Sequence, residues 1–207
     1  MSLGSMCFTL ATLATLTGVM LAGWPETRGL TSDAPPVSQP ATSQPATGAT
    51  AMKLTLRSPA FENGKPIPKK HTGEGEDTSP ELIWSEVPAG TVELALLVDD
   101  PDAPVGDWVH WVIYKIPPTA KGLKAAVPRD ARLKEPAGAL QGKNSWGTIG
   151  YRGPMPPPGH GTHHYHFKLY ALNAAPDLPP GLTKAELLKR IQPHIIGQGE
   201  LIGTYQR

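Results

Sequence analysis

Short apolar and aromatic runs with strand-like spacing dominate the hydrophobic pattern of the chain from residue 52 onwards. Residues 52–56 alternate between apolar and polar side chains, which is typical of a strand with one buried face. Residues 92–98 are nearly all apolar, and this predicts a strand buried on both faces. The runs 108–114 and 163–172 are rich in aromatic and β-branched residues and have the length of strands. The pattern therefore predicts a mainly β domain.

The segments between these runs are rich in Gly and Pro, and a single helix is predicted near the C-terminus. Loops of this composition favour an antiparallel β-sandwich with a few short helices, in which the long loops carry the function. Thr183 and Glu186 form a capping box ahead of an apolar stripe, and Pro193 ends the segment. We expect this helix to serve packing.

The first 23 residues resemble an export signal. Residues 7–23 carry no charge, and the small residues Ala22 and Gly23 follow the apolar run where a signal peptidase cuts. The alternative is a retained membrane anchor over 7–23, although this run is shorter than the roughly 20 residues that a span prefers. Cys7 precedes the apolar run and is therefore poorly placed for a lipoprotein cysteine. We predict an exported protein, periplasmic or secreted, whose only membrane contact would be an uncleaved N-terminus.

Residues 24–51 are predicted to be a disordered linker ahead of a single domain over residues 52–207. The linker consists largely of Pro, Ala, Ser, Thr and Gln, and it contains a five-residue tandem repeat over 38–47. Such a segment buries too little apolar surface to offset the entropy of ordering. Only five of the 24 prolines and five of the 22 glycines precede Met52, so most of these residues belong to the folded part.

Charge and cysteine content exclude several classes of protein. The formal net charge of +1 argues against binding to nucleic acid or acidic lipid through bulk electrostatics. Because Cys7 is the only cysteine, an intramolecular disulfide and a multi-cysteine zinc site are both excluded. We expect neither a cofactor nor a resident metal ion.

Three aspartates, Asp99, Asp100 and Asp102, directly follow the most hydrophobic run. Three carboxylates in four residues repel one another, so at least one needs a cation, a hydrogen-bond donor or a proton as its partner. An acidic turn in which these side chains cap local backbone donors is the simpler interpretation. A binding site is the alternative.

His110 lies within the aromatic run 108–114. With a period of two, Trp108, His110, Val112 and Tyr114 are expected to share one face of a strand. Such a histidine either bonds a backbone carbonyl in the core or pairs with one of the aspartates. The second arrangement would fix its tautomer and aim the other ring nitrogen at a ligand.

Four of the seven histidines fall within residues 160–166, after the Gly- and Pro-rich segment 153–159. In a strand that starts at residue 163, His164 and His166 share a face and could chelate a metal ion. A dedicated metal site would need a third ligand and supporting hydrogen bonds, and neither is evident. The Gly-Pro segment offers rigid walls and backbone amides that a ligand can approach closely.

Together, the sequence over 99–104, the Trp108/His110 pair and the segment 159–165 resemble the phosphatidylethanolamine-binding protein family, in particular its bacterial Raf-kinase-inhibitor-like branch. The resemblance spans about residues 53–207. It implies an antiparallel β fold with a small pocket for anions such as phosphate or a phosphorylated head group. The pocket residues that it implies are Asp100, Trp108, His110, Gly153, Pro157, His163 and Tyr165, with Asp102 at the edge. The family often has Arg where this chain has His164, so one fixed positive charge is lost.

The predicted function is therefore non-catalytic binding of a small anionic or phosphorylated ligand, with regulation through protein partners and a homodimer left open. In this interpretation His110 and His163 donate N–H groups to a phosphate oxygen, and Tyr165 adds its hydroxyl. Two alternatives stay open: a hydrolase that uses an Asp100–His110 pair, and metal binding by His160, His164 and His166. No Gly-x-Ser-x-Gly segment or phosphate-binding P-loop supports the hydrolase.

Overall fold

Two β-sheets share one apolar core in the computed structural model of the protein, which describes residues 51–207. The predicted leader over 1–23 and the predicted linker over 24–51, apart from Ala51, lie outside the described residues. The strands are β1 (Met52–Lys53), β2 (Thr55–Arg57), β3 (Lys65–Pro66), β4 (Leu82–Ser85), β5 (Glu93–Asp100), β6 (Trp108–Ile116), β7 (Gly122–Leu123), β8 (Leu140–Gln141), β9 (His163–Leu172) and β10 (Ile195–Tyr205).

The larger sheet has the order β1-β10-β9-β5-β6-β8, and the smaller one has the order β2-β4-β7. All of the long strands pair antiparallel, as predicted for a sandwich of this class. The short strands β1 and β3 instead run parallel to β10 along its outer edge. The fold is thus mainly β, and its two sheets do not close into a barrel.

The predicted single strand over 52–56 is wrong, because the chain changes sheets at Leu54. Residues before Leu54 pair with β10 in the larger sheet, whereas residues after it pair with β4 in the smaller one. The backbone N–H of Leu54 still donates to the carbonyl of Gln198, and its side chain is buried between the sheets. The alternating pattern correctly predicts that Leu54 and Leu56 are buried, but Met52 is 59% exposed, and the pattern does not show the change of sheet.

Strand β5 lies near the middle of the larger sheet and is buried along its whole length, as its apolar run predicted. One face packs against the smaller sheet through Leu94, Leu96 and Val98. The other face, with Ala95 and Leu97, belongs to a second apolar cluster beneath the C-terminal helix. Each face of the larger sheet is therefore covered, and the end of β5 is held rigidly.

The predicted helix is α1 (Lys184–Ile191), and its capping box is confirmed. Thr183 accepts a hydrogen bond from the backbone of Glu186, whose side chain accepts one from the backbone N–H of Thr183. Leu187 and Ile191 face the second cluster. Two short 3₁₀ segments, Lys69–His71 and Gln192–His194, are the other helical turns of residues 51–207. Within this range no helix has the length and apolarity that a membrane span requires.

Candidate ligand-binding site

A cavity of about 290 Å³ opens where three central strands of the larger sheet end or begin. Because β5 is antiparallel to both β6 and β9, its last residue lies beside the first residues of the other two strands. This topology places Asp100, His110 and His163 around one space. The Pro-rich segment that contains Pro156 and Pro157 forms a wall of the cavity.

A β-bulge in β6 aims His110 into the cavity. The pairing with β5 shifts between Val98, which lies opposite Trp111, and Asp99, which lies opposite Val109. His110 is the extra residue, and it shares a face with Trp111 instead of with Val112 as a strict period of two predicted. That prediction was wrong because a bulge places two successive side chains on one face.

Each of the three aspartates at the end of β5, Asp99, Asp100 and Asp102, has a partner that offsets their mutual repulsion. Asp99 is buried on the opposite face of the sheet from the cavity and binds Lys168 at 2.8 Å and also Lys184. Asp100 accepts a hydrogen bond from Nδ1 of His163 at 2.7 Å and one from the backbone of Asp102. The segment is therefore a hydrogen-bonded acidic turn that also supplies one carboxylate to the cavity.

His163 uses both of its ring nitrogens within the protein. It is 1 % exposed, its Nδ1 bonds Asp100, and its Nε2 lies 2.8 Å from Nδ1 of the exposed His160. The predicted donation from His163 to a ligand therefore requires the contact with His160 to break.

His110 does not pair with an aspartate, so the Asp100–His110 pair that a hydrolase would use is not formed. Its Nδ1 instead donates to the carbonyl of Arg152 at 2.6 Å, and its Nε2 forms no hydrogen bond with any residue of 51–207. Burial lowers the pKa of His110 below its ordinary value, against weaker opposing effects of the Arg152 carbonyl and Asp100. The free ring is therefore neutral near pH 7 and presents a lone pair to the cavity, where the sequence had predicted an N–H.

Tyr165 places a buried hydroxyl in the same cavity. Its ring stands edge-on to that of His110, with the centroids 5.0 Å apart. The hydroxyl oxygen is buried close to the Asp100 carboxylate, but it forms no hydrogen bond within 3.5 Å to the described part of the chain. Burial and the neighbouring Asp100 carboxylate both raise the pKa of this phenol, so the hydroxyl keeps its proton and can donate it to a ligand.

The mouth of the cavity is apolar and includes residues that the sequence did not indicate. The predicted Trp108 and Pro157 line it. So do Val105, Trp146 and Met155, which are 77 %, 38 % and 50 % exposed. Trp146 stands edge-on to Trp108 at 5.3 Å. A tryptophan in a predicted loop is the one feature of the sequence that could have indicated Trp146. Only the fold shows that this loop reaches the cavity.

Two predicted site residues, Gly153 and Asp102, do not line the cavity. Gly153 donates its N–H to Asp77 at 2.6 Å. Asp102 lies outside the cavity, where its carboxylate accepts bonds from the backbone and Nδ1 of His164. His164 therefore points away from the cavity, so an arginine at this position would not contact a ligand there directly.

Gly153 packs closely against the backbone of His71 and Thr72, and this yields a prediction. A Cβ atom at this position would lie 2.2 Å from the carbonyl oxygen of His71. Because that neighbour is backbone, we expect Gly153→Ala to lower the free energy of unfolding by about 1–3 kcal/mol, the usual cost of overpacking. Thermal denaturation checks this. As the control, Gly138→Ala has open space for its Cβ and only the strain of a positive φ, so a larger loss in Gly138→Ala than in Gly153→Ala would contradict the account.

The histidines of residues 160–166 do not form the metal site that the sequence offered as an alternative function. His164 and His166 do share a face, but each bonds its own carboxylate, Asp102 and Glu200 respectively. His160 lies on the cavity side, against His163. Over residues 51–207 no group of three His, Cys, Asp or Glu side chains is placed to hold a metal ion.

A family model and several related sequences match the described part of the chain. The family model for phosphatidylethanolamine-binding proteins matches residues 57–206. A UPF0098 protein of Methanothermobacter thermautotrophicus is 47% identical over 154 residues, which cover 74% of this chain and 99% of that protein. A Mycobacterium tuberculosis protein that carries the name of a lipoprotein, LppC, is 41% identical over 203 residues, or 95% of each chain.

Solved structures show the same likeness. The crystal structure of Escherichia coli YbcL, described as a member of the mammalian PEBP family, has a TM-score of 0.70 and 34% identity; it covers 74% of this chain and 98% of that one. A phosphatidylethanolamine-binding protein homologue from Chlamydia trachomatis has a TM-score of 0.66 and 40% identity, with 76% and 98% covered.

Proposed function

Because the chain belongs to the phosphatidylethanolamine-binding protein family, we propose that its cavity binds a small anion or a phosphorylated head group without catalysing a reaction. One observation carries this proposal. The buried hydroxyl of Tyr165, which has no hydrogen-bond partner among the described residues, faces the same cavity as Nε2 of His110, which bonds no residue of 51–207. Buried polar groups usually find hydrogen-bond partners, so the unpaired hydroxyl favours a ligand in this cavity.

The charges around the cavity favour a singly charged, proton-bearing anion over a dianion. Neither Arg nor Lys lines the cavity among the residues that the structure describes. The carboxylate of Asp100 also lines the cavity and accepts a hydrogen bond from His163. A phosphate monoanion suits the two free groups, since an acid O–H donates to Nε2 of His110 while another oxygen accepts from Tyr165. Without a guanidinium fork, the affinity should be modest.

The chemistry of the lining supports binding without turnover. The cavity wall contains no Ser, Thr, Cys or Lys side chain within the described part of the chain. Its carboxylate, Asp100, already accepts bonds from His163 and from a backbone N–H. His110, the unpaired base, has no neighbouring hydroxyl other than that of Tyr165, whose raised pKa makes it a poor nucleophile.

The binding test is a titration with inorganic phosphate and with phosphoethanolamine, followed through the ring signals of His110 and His163 by NMR. We expect both rings to shift with millimolar ligand and the shifts to saturate. The variant His166→Ala is the control, since His166 bonds Glu200 on the other face of the sheet. Rings that do not shift at millimolar concentrations of either ligand would refute the proposal.

Binding should take up a proton, which gives a prediction for its pH dependence. In the free protein burial lowers the pKa of His110 below its ordinary value, so Nε2 carries no proton near pH 7. A hydrogen bond between Nε2 and an anion needs one proton, which either an acid O–H of the anion or the ring supplies. The affinity should therefore rise as the pH falls from about 8 to about 6, by at most about tenfold per pH unit for one proton.

Calorimetry at several pH values measures this rise, and sulfate serves as the control. Sulfate stays a dianion over this range, so any pH dependence of its binding comes from the protein. We expect sulfate affinity to rise as well. An affinity for sulfate that is constant with pH would show that binding needs no proton on Nε2 of His110 and would contradict the contact between His110 and the anion.

We propose further that the protein is exported, with residues 1–23 as the leader. The support is the apolar N-terminal run and the likeness to the M. tuberculosis protein named as a lipoprotein, which spans 95% of this chain. Cell fractionation with mass determination of the mature protein tests this. A full-length chain recovered from the cytoplasm would refute it.

A further inference from the structure

We propose that His160 competes with the ligand for Nε2 of His163 and so lowers the affinity of the cavity for every ligand that binds this nitrogen. This inference rests on the proposed function, because it assigns a competing residue to the same site. His163 is the one cavity histidine that has both nitrogens engaged by side chains of residues 51–207, Asp100 on one side and His160 on the other. One of these partners must leave before His163 can bind anything else.

His160 is the partner that can leave. Asp100 is 3 % exposed and is held by the backbone of Asp102 as well. His160, by contrast, is exposed, and its side chain bonds only His163 within the described residues. When His160 turns into solvent, its Nδ1 is rehydrated at once, whereas a displaced Asp100 would leave two buried groups without partners.

The backbone around His160 allows the side chain to move without moving the loop. Gly159 and Gly161 flank it at φ angles of +74° and +91°, with no other atoms within 4 Å of an added Cβ. The loop itself is fixed to the C-terminus, since the N–H of Gly159 donates to Arg207 and Thr162 donates to Gln206. His160 therefore lies on an anchored loop, between two glycines that have open space around them.

The competition lowers the affinity for every ligand that binds Nε2 of His163. Nδ1 of His160 can donate to this nitrogen or accept its N–H, so the contact forms whichever of the two rings carries the proton. Breaking the contact costs the same free energy whichever ligand replaces it, because the apparent dissociation constant is the intrinsic one divided by the fraction of protein in which the contact is open. A ligand that does not reach Nε2 of His163 is unaffected.

The test compares phosphate binding by the wild type, His160→Ala and His166→Ala, using calorimetry and the ring ¹⁵N signals of His160 and His163. Removing the competitor should tighten phosphate binding by about three- to tenfold, the size of one ordinary hydrogen bond. His166→Ala should bind as the wild type does. In the wild type, phosphate should move the His160 ring signals toward those of a solvent-exposed histidine.

The outcomes separate this inference from the function on which it rests. Wild-type protein that binds phosphate while His160→Ala binds it equally or more weakly overturns the competition and leaves anion binding intact. His160 ring signals that do not move at saturating phosphate likewise overturn the competition and leave anion binding intact. Absence of phosphate binding in the wild type and in His160→Ala alike overturns the proposed function, and the competition with it.

Discussion

Replacing Asp99 with asparagine is expected to lower the free energy of unfolding by about 3 kcal/mol and to leave phosphate affinity unchanged. The carboxylate is 1 % exposed and is the shared partner of Lys168 and Lys184. Removing one member of a buried ion pair costs about 3–5 kcal/mol because it leaves an uncompensated charge. We take the lower end, since both lysines keep some exposure. Denaturant unfolding measures the loss.

Asp107→Asn is the matched control for this prediction. Asp107 also binds Lys184, but its side chain is 47% exposed. Exposed ion pairs contribute about 0–1 kcal/mol, so this variant should unfold almost as the wild type does. Equal losses of unfolding free energy in the two variants would show that the burial of Asp99 does not determine how much its ion pairs contribute to stability. A loss of phosphate binding in Asp99→Asn would contradict the placement of Asp99 outside the site.

Tyr165→Phe is expected to weaken phosphate binding by about tenfold or more without destabilising the free protein. The hydroxyl is buried and unbonded, so its removal eliminates a desolvated polar atom and should leave the unfolding free energy unchanged or up to about 1 kcal/mol higher. In the complex the same hydroxyl donates to an anion, and hydrogen bonds to charged groups contribute about 1.5–3 kcal/mol. Calorimetry and denaturant unfolding measure the two effects separately.

Tyr114→Phe should show the reverse behaviour. The hydroxyl of Tyr114 donates to the carbonyl of Pro179 and accepts from the N–H of Leu182, far from the cavity. Its loss should cost about 1 kcal/mol of stability and leave phosphate affinity unchanged. If Tyr165→Phe destabilised the protein as Tyr114→Phe does, Tyr165 would have a structural hydrogen bond, and the argument for a ligand would fail.

The sequence predicted most of the large sheet because burial follows local periodicity. The strands β5 and β9 and the helix α1 each bury the residues that their patterns indicated. Among site residues, Asp100, Trp108, His110, Pro157, His163 and Tyr165 meet at one cavity, as the resemblance to the family implied.

The features that the sequence could not predict all depend on pairing between distant segments. The bulge at His110 arises from the register of β6 against β5. Register is defined only between two paired strands, so the sequence of β6 alone does not show the bulge. The partner of Asp100 likewise depends on which histidine the antiparallel pairing brings beside it, and this is His163 rather than His110.

Trp146 illustrates the same limit in a loop. Asn144 positions it by donating to the carbonyl of Gly150 and accepting from the backbone N–H groups of Trp146 and Thr148. These bonds are local, but the direction in which the loop then points depends on its contacts with β6, such as the bond from the N–H of Val109 to Ser145. The spacing of residues along the chain carries no information about such contacts.

A crystal structure of the protein grown with phosphate tests the central claim most directly. The account predicts phosphate in the cavity, with one oxygen within hydrogen-bond distance of the Tyr165 hydroxyl and another facing Nε2 of His110, at about 2.6–3.2 Å. Phosphate bound elsewhere, or an empty cavity in crystals of a protein that binds phosphate in solution, would contradict it.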